Sequence, residues 1–257
     1  PTTNPAWNNI TPGQKVRTNL TDVDGNATKI IIVLDDPFND VNASGKTSTT
    51  TDLDMPSEVS KSCFWGYAQG NFEGKTQQPT GGFVFSHMNA DITYTFDFYG
   101  SRSVCSDNRE VAYTLVGSDS VTVCLDAANN STQTVRAARV RPTSDGKIHL
   151  TVSPGKDNDN TYKFYYINAL RIIPNTRFAT TTVGSAGYST FVAPFAVSEL
   201  PYGLEVYGAE DKNNGYVQLN AMTEIPDGEP VVLKNEGTYT FYEAEADVTP
   251  TVANELV

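Results

Sequence analysis

Histidine, the side chain that most often moves protons in hydrolases, occurs at only two positions of this chain, His87 and His149. No serine lies in the Gly-x-Ser-x-Gly pattern that presents a nucleophile on a strained turn. Paired carboxylates such as Asp35-Asp36 are common in any acidic protein, and their spacing does not fix the separation that glycoside hydrolysis requires. We therefore expect no catalytic residues in this chain.

Three cysteines and one acidic run are the groups that could hold a metal. Cys63, Cys105 and Cys124 lack Cys-x-x-Cys spacing and a nearby histidine, so no zinc site is expected. Their odd number allows at most one disulfide within the chain, and buried free thiols are the alternative. The run Asp-Val-Asp-Gly-Asn at 22–26 resembles a calcium loop, but Val33 stands where an EF-hand has glutamate. We predict a hairpin turn there.

Aromatic and polar side chains in predicted connections are the best candidates for binding a sugar. The run 106–110, Ser-Asp-Asn-Arg-Glu, combines the planar donors of arginine with acceptors and an amide, which suits pairs of sugar hydroxyls. An aromatic ring matches the apolar face of a pyranose, and Trp65 adjoins a Gly-rich stretch, 66–82, that predicts a long loop. The predicted ligand-binding residues are Trp65, Tyr67, Arg102, Asp107, Asn108 and Arg109.

Each candidate also has a structural interpretation. Either arginine can pair with Asp107, Glu110 or another carboxylate and so hold the loop instead of a ligand. The tryptophans, Trp7 and Trp65, can fill a core as well as they can stack on a sugar. Because the predicted exposed strand faces carry small Thr and Ser residues, we expect a sugar to bind in the loops, with Trp65→Ala removing binding and leaving thermal stability nearly unchanged.

Strands must position these residues, because helical periodicity is almost absent from the sequence. Residues 92–99 alternate, with Ile92, Tyr94, Phe96 and Phe98 on one face and Thr93, Thr95, Asp97 and Tyr99 on the other, which predicts a half-buried strand. Further predicted strands are 29–34, 81–85, 110–117, 120–125, 134–140, 147–152, 162–173, 180–183, 188–194, 203–209, 216–222, 230–234 and 237–242. Short strands at regular intervals predict an all-β sandwich.

The charge is unevenly distributed along the chain. A turn-like run at 174–176 breaks the strand pattern, and residues 1–174 hold 15 basic and 18 acidic residues, whereas 175–257 hold 3 and 12. We therefore predict two domains, 1–174 and 175–257, the second ending in an acidic tail that is consistent with a longer polypeptide.

The overall charge limits the partners. A net charge of −12 and a pI near 4.5 exclude a nucleic-acid partner, because phosphate contacts need clustered cations. An anionic membrane surface is disfavoured for the same reason. No apolar run approaches the roughly 20 residues of a membrane-spanning helix, and residues 1–5 show neither a basic start nor an apolar stretch, so membrane insertion is not expected and any signal peptide is absent or removed.

Several runs of residues 1–174 form a recognisable set: Pro-Ala-Trp-Asn-Asn at 5–9, Asp-Gly-Asn at 24–26, Asp-Pro-Phe-Asn at 36–39, Pro-Thr-Gly-Gly-Phe at 79–83, Tyr-Thr-Phe at 94–96 leading to Ser101-Arg102, the run 106–110, and Phe-Tyr-Tyr-Ile-Asn-Ala-Leu at 164–170. Through these runs the segment resembles an accessory module of secreted multidomain proteins from Bacteroidetes, which often stands beside GDSL-type (SGNH) esterases or other polysaccharide-active enzymes. The resemblance implies a galactose-binding-like jelly roll that binds carbohydrate or has a structural role. It leaves room for a structural calcium held by backbone carbonyls, and implies no other cofactor.

Residues 175–257 resemble small β domains that follow catalytic or binding modules in the same proteins, through the runs 187–191, 194–197 and 225–234. These runs consist of turn glycines and prolines with core aromatics, so they imply no chemistry. Together the resemblances imply a secreted or cell-surface, non-catalytic protein whose partner is a polysaccharide or glycan, beside a catalytic domain of the same polypeptide. The alternatives are an architectural spacer or surface-assembly protein, and a carbohydrate esterase or glycosidase with an unrecognised site.

Overall fold

The structure, a computed structural model, describes residues 6–11, 18–175, 177–212, 215–244, 248–249 and 252–256. It is all-β, with antiparallel sheets and one short helix in the described ranges, which confirms the predicted fold class. The chain divides into two compact units, 1–174 and 175–257. Across the described part, no helix is both long and apolar enough to cross a bilayer.

The first unit contains twelve strands and one helix in its described part. They are β1 (Thr18–Thr21), β2 (Ala27–Asp36), β3 (Asp40–Asn42), α1 (Ser57–Lys61), β4 (Cys63–Tyr67), β5 (Gly81–Ser86), β6 (Thr93–Tyr99), β7 (Glu110–Val116), β8 (Ser120–Asp126), β9 (Val135–Val140), β10 (Ile148–Pro154), β11 (Phe164–Ile167) and β12 (Ala169–Asn175). One sheet has the order β1-β2-β5-β10-β7-β8, and two three-stranded sheets have the orders β11-β4-β3 and β12-β6-β9.

The main hydrophobic core of the first unit joins aromatic side chains of the six-stranded sheet to those of the two smaller sheets. Phe98 of β6 stacks on Tyr113 of β7, with ring centroids 4.6 Å apart, and Phe85 of β5 contacts Phe96 of β6. Offset stacking of this kind adds to the free energy gained by burying the rings. Aromatic side chains from both layers therefore hold the sandwich together.

Strand β6 differs from the prediction of a half-buried strand, because every residue from Thr93 to Tyr99 is buried. The face predicted to be exposed is covered by other parts of the unit: Leu53 packs against Tyr99, and the carboxylate of Asp97 accepts hydrogen bonds from two arginines. Alternation in the sequence distinguishes the two faces of a strand but does not show what covers each face.

The predicted loop 66–82 is wrong at its start. Residues Cys63–Tyr67 form strand β4, which is buried along its whole length, and only the following residues, 68–80, form a connection. Gly66 is required in this strand because a Cβ atom there would lie 2.1 Å from the Tyr165 hydroxyl oxygen on β11. The glycine therefore permits close strand packing and does not mark a loop.

The single strand predicted at 162–173 is two strands in different sheets. At Asn168 the backbone N–H donates to Tyr99 O (2.9 Å), Oδ1 accepts from Ser101 N–H (2.8 Å), and Nδ2 donates to Ser60 O (2.8 Å). These bonds satisfy Asn168 outside either ladder, and the chain passes from β11 to β12 there. Strand β12 also continues through Pro174, past the predicted break, because it is an edge strand in which a missing N–H is tolerated.

The second unit, in its described part, is built from six strands at the positions where the sequence predicts six. They are β13 (Phe178–Val183), β14 (Tyr188–Val192), β15 (Glu205–Asp211), β16 (Val217–Met222), β17 (Pro230–Lys234) and β18 (Gly237–Tyr242). Strands β14-β17-β15-β16 form one sheet, and β13 pairs with β18. Phe191 of β14 stacks on Phe241 of β18 with ring centroids 4.7 Å apart, so the two-stranded ribbon contributes to the same core as the four-stranded sheet.

Candidate functional site

The predicted aromatic platform is not on the surface. Trp65 is 8% exposed and Tyr67 is fully buried, both within the core of the first unit. The Trp65 ring meets Phe72 and Phe164 edge-on, at centroid distances of 5.9 and 5.6 Å, and the Tyr67 hydroxyl donates to the carbonyl of Lys75. These residues hold the 68–80 connection against the sandwich, so the prediction that they face a ligand from a loop is wrong.

The remaining four predicted residues come together in the connection between β6 and β7, which we call the arginine loop, residues 101–109. Its backbone is fixed at several points: Arg102 N–H donates to Ala127 O (2.8 Å), and Ser103 N–H donates to Ser44 O (2.8 Å). Asn129 donates from its side chain to Cys105 O (2.7 Å) and accepts from Cys105 N–H (3.3 Å). The arginine loop is therefore hydrogen-bonded to neighbouring segments at several points.

The side chain of Arg109 forms its contacts with other residues of the protein. Its Nε lies 2.8 Å from Asp107 Oδ1, its Nη1 donates to the Tyr166 hydroxyl (2.5 Å), and its guanidinium lies over the Phe164 ring, 5.2 Å from the centroid. Although burial raises the pKa of Asp107, hydrogen bonds from Arg109 and Asn160 outweigh it and hold that pKa below its ordinary value. This is the loop-holding ion pair that the sequence left open as an alternative.

Asn108 shapes the turn that leads into β7. Its side-chain oxygen accepts from Glu110 N–H (2.7 Å), and its backbone N–H donates to Asp159 Oδ1 (2.6 Å). An asparagine that bonds the backbone two residues ahead is a recognised turn former. Asn108 therefore has a structural role that accounts for its presence.

Arg102 is different from Arg109, because its guanidinium forms no hydrogen bond or ion pair with any residue in the described ranges. It is half-buried, and its charge acts on buried neighbours: burial raises the pKa of the Tyr166 phenol, and the two arginines partly oppose that shift. The Arg102 charge therefore lies within electrostatic range of the Tyr166 phenol, and its guanidinium donors have no partner among the described residues.

Val104, two residues further on, is strained and fully accessible. It is 98% exposed and has a φ of 59°, a left-handed conformation that β-branched residues rarely adopt. Strain of this kind persists only where the surroundings impose it, and it concentrates at ligand-binding sites. Arg102 and Val104 together make the arginine loop the strongest candidate site in the first unit.

The other groups singled out from the sequence show no comparable arrangement. His87 Nδ1 lies 3.3 Å from the hydroxyl of the adjacent Ser86, while His149 is exposed on β10. Trp7 is half-buried and packs against a small cluster around Leu53. In the described ranges neither histidine has a carboxylate within hydrogen-bonding distance.

No disulfide joins the three cysteines, which are all free in the structure. Burial raises the pKa of the Cys105 thiol, so it is protonated at neutral pH and is a poor nucleophile.

The run 22–26 is the predicted hairpin turn, in which Asp22 Oδ1 accepts from Asp24 and Asn26 N–H, at 3.0 and 2.8 Å. Within the described ranges, no group of three His, Cys, Asp or Glu residues could hold a metal ion.

Sequence reasoning missed two features of these surfaces. Tyr166, which accepts the Arg109 hydrogen bond, lies within an unbroken apolar strand, and nothing in that pattern indicates a contact with the arginine loop. In the second unit, Tyr188, Glu205 and Lys234 lie in separate strands and meet only through strand pairing.

No protein-family model matches the chain, and no curated protein matches it.

Proposed function

We propose that this chain is a non-catalytic carbohydrate-binding or accessory module of a secreted or cell-surface protein, acting beside a catalytic domain of the same polypeptide. The observation that carries the proposal is Arg102, whose backbone is hydrogen-bonded within the arginine loop and whose guanidinium has no protein partner among the described residues. Arginine presents paired donors that match two sugar hydroxyls or a carboxylate. The exposed, strained Val104 beside it offers an apolar contact.

An architectural spacer is the second candidate. It is favoured by the fate of the other predicted residues, because Trp65 and Tyr67 fill the core and Asp107 and Arg109 hold the loop. A spacer needs the arginine loop only for stability and makes no specific contact with a glycan. The two candidates therefore differ in what Arg102 does.

Substitution of Arg102 separates them. We expect Arg102→Ala to weaken binding to glycans retained by the wild-type chain by at least roughly tenfold, because it removes a charge-assisted contact. We expect little change in the melting temperature, since the guanidinium has no partner in the described structure. The measurement is a glycan array followed by calorimetric titration of the glycans that bind.

Lys147→Ala provides the control, because Lys147 is an exposed cation whose ion pair with Asp145 lies in a surface turn. It should bind glycans as the wild type does. Retained binding in Arg102→Ala would remove the site from the arginine loop, and the absence of any glycan binding by the wild-type chain would favour the spacer.

A further inference from the structure

One face of the four-stranded sheet in the second unit carries an unusual set of side chains. Tyr188 on β14, Lys234 on β17 and Glu205 on β15 lie directly opposite one another across three adjacent strands. Tyr207 follows Glu205 by two residues and so projects from the same face. The alternate residues, including Val206 and Leu233, are buried in the core of the unit, so the set lies on the opposite face. We call these four residues the tyrosine surface.

Polar contacts fix the tyrosine surface. Lys234 Nζ lies 2.8 Å from Glu205 Oε2, and the Tyr207 hydroxyl donates to the same oxygen. These hydrogen bonds, that from Lys234 foremost, lower the pKa of Glu205 to about 2, so the carboxylate is a permanent acceptor at neutral pH. Tyr188 is 53% exposed, and its hydroxyl has no hydrogen-bond partner in the described part of the chain.

Asn235 links this surface to its neighbouring turns. Its Nδ2 donates to Gly203 O (2.9 Å) and more distantly to Glu205 Oε1 (3.4 Å), and its N–H donates to Gly187 O (3.0 Å). Gly187 immediately precedes Tyr188, and Gly203 immediately follows Tyr202, which is fully exposed. The backbone next to a second accessible tyrosine, Tyr202, is therefore hydrogen-bonded to Asn235, the residue that follows Lys234.

We propose that the tyrosine surface is a second sugar-binding site, and that it takes the pyranose units of a neutral polysaccharide. Exposed tyrosine rings match the apolar face of a pyranose, while Glu205 and Lys234 provide an acceptor and a donor for its hydroxyls. The unit has 3 basic and 12 acidic residues, a charge that disfavours an anionic polysaccharide and the pairing of this face with a second copy. The proposal shares its ligand class with the function proposed above but uses a different unit.

Substitution of Tyr188 in the full chain tests this. Affinity electrophoresis in gels containing galactomannan, xyloglucan or polygalacturonate should show retardation of the wild type by a neutral polymer. Tyr188→Ala should weaken this affinity by at least roughly tenfold, and Tyr188→Phe, which keeps the ring, should retain most of it. Because Tyr188 is exposed, the melting temperature should change little. The control is Tyr216→Ala. Tyr216 is 73% exposed and directly precedes Val217, the first residue of β16.

Comparison with Arg102→Ala distinguishes this inference from the proposed function. If Arg102→Ala alone abolishes retardation and Tyr188→Ala has no effect, the tyrosine surface is not a site and the arginine loop is. If only Tyr188→Ala abolishes it, the reverse holds. No retardation of the wild type by either neutral polymer would overturn the inference. A dimer that Tyr188→Ala dissociates would also overturn it, because the face would then bind a second copy of the chain.

Discussion

Arg102 and Arg109 stand in the same loop, but their surroundings give them different capacities. The guanidinium of Arg109 donates hydrogen bonds to Asp107 and Tyr166 and lies over the ring of Phe164. Removal of Arg109 would leave the partly buried carboxylate of Asp107 without its charged partner, with only the Asn160 hydrogen bond remaining, which costs folding stability. The Arg102 guanidinium has no such partner among the described residues, so we expect its loss to affect the proposed ligand binding and not folding.

Trp65 gives a residue-scale prediction that reverses the one drawn from sequence. Because the ring is 8% exposed and packed against Phe72 and Phe164, we expect Trp65→Ala to lower the free energy of unfolding by about 3 to 5 kcal/mol. For a unit of this size that corresponds to a fall of roughly 10 °C in the melting temperature. Thermal unfolding measures it, and an unchanged midpoint would place the ring outside the core.

At the scale of elements, β6 is central because it is covered on both faces. Its outward carboxylate, Asp97, is buried and accepts from Arg136 Nε (2.6 Å) and from Arg171 Nη2 (2.6 Å), and Arg171 also pairs with Asp52 (2.7 Å). Arg136 comes from β9 and Arg171 from β12, the two neighbours of β6 in its sheet. The network therefore ties all three strands of that sheet together.

Asp97→Asn should destabilise the first unit, because it leaves two guanidinium groups facing a neutral amide. Breaking a fully buried ion pair typically costs about 3 to 5 kcal/mol, but the side chains of Arg136 and Arg171 are 39% and 32% exposed and Arg171 keeps its pair with Asp52, so we expect a loss of about 2 kcal/mol. Chemical denaturation followed by tryptophan fluorescence is a suitable measurement. Asp145→Asn, which removes an exposed ion pair with Lys147, is the matched control and should change stability by less than about 1 kcal/mol.

The strands could be predicted from sequence where alternation or an apolar run marked them, as in β7, β10 and the six strands of the second unit. Short strands with little periodicity, β1, β3 and β4, were not predicted, because three to five residues carry too little pattern. The arginine loop was located correctly as a connection. The burial of Trp65 could not be predicted, since Phe164 comes from a distant part of the chain and Phe72 packs on the ring only through the way the following connection folds back.

At the scale of the whole molecule, charge determines how stability responds to acid. Burial raises the pKa of Asp52 and of Asp107, but hydrogen bonds from Arg171 and Arg109 respectively outweigh it, and both pKa values lie below their ordinary 3.8. A carboxylate with a lowered pKa in the folded state stabilises that state above its unfolded pKa. This stabilisation is lost as the pH falls through the folded value.

We therefore expect the melting temperature of the first unit to fall as the pH drops below about 4. Asp107→Asn should have a lower melting temperature at neutral pH and a shallower decline in acid, because one of the responsible groups no longer titrates. Calorimetric scans between neutral pH and about pH 2 test this. Asp119→Asn, at an exposed turn, should follow the wild-type curve, and a parallel decline in Asp107→Asn would contradict the assignment.

The pairing of β13 with β18 determines how the second unit responds to a pulling force. Phe178, at the start of the unit's first strand, is paired with Tyr242, at the end of its last, while beyond Tyr242 the described residues 252–256 return to the unit, where Asn254 and Glu255 hydrogen-bond to Ala209 of β15. Tension applied through these two points pulls the strands apart at right angles to their length and loads their hydrogen bonds one pair at a time. Unzipping of this kind needs far less force than sliding two strands past each other. If the chain links a catalytic domain to an anchored substrate, a pull on its C-terminal side would first have to release Asn254 and Glu255 from β15, and only then would it unzip this ribbon.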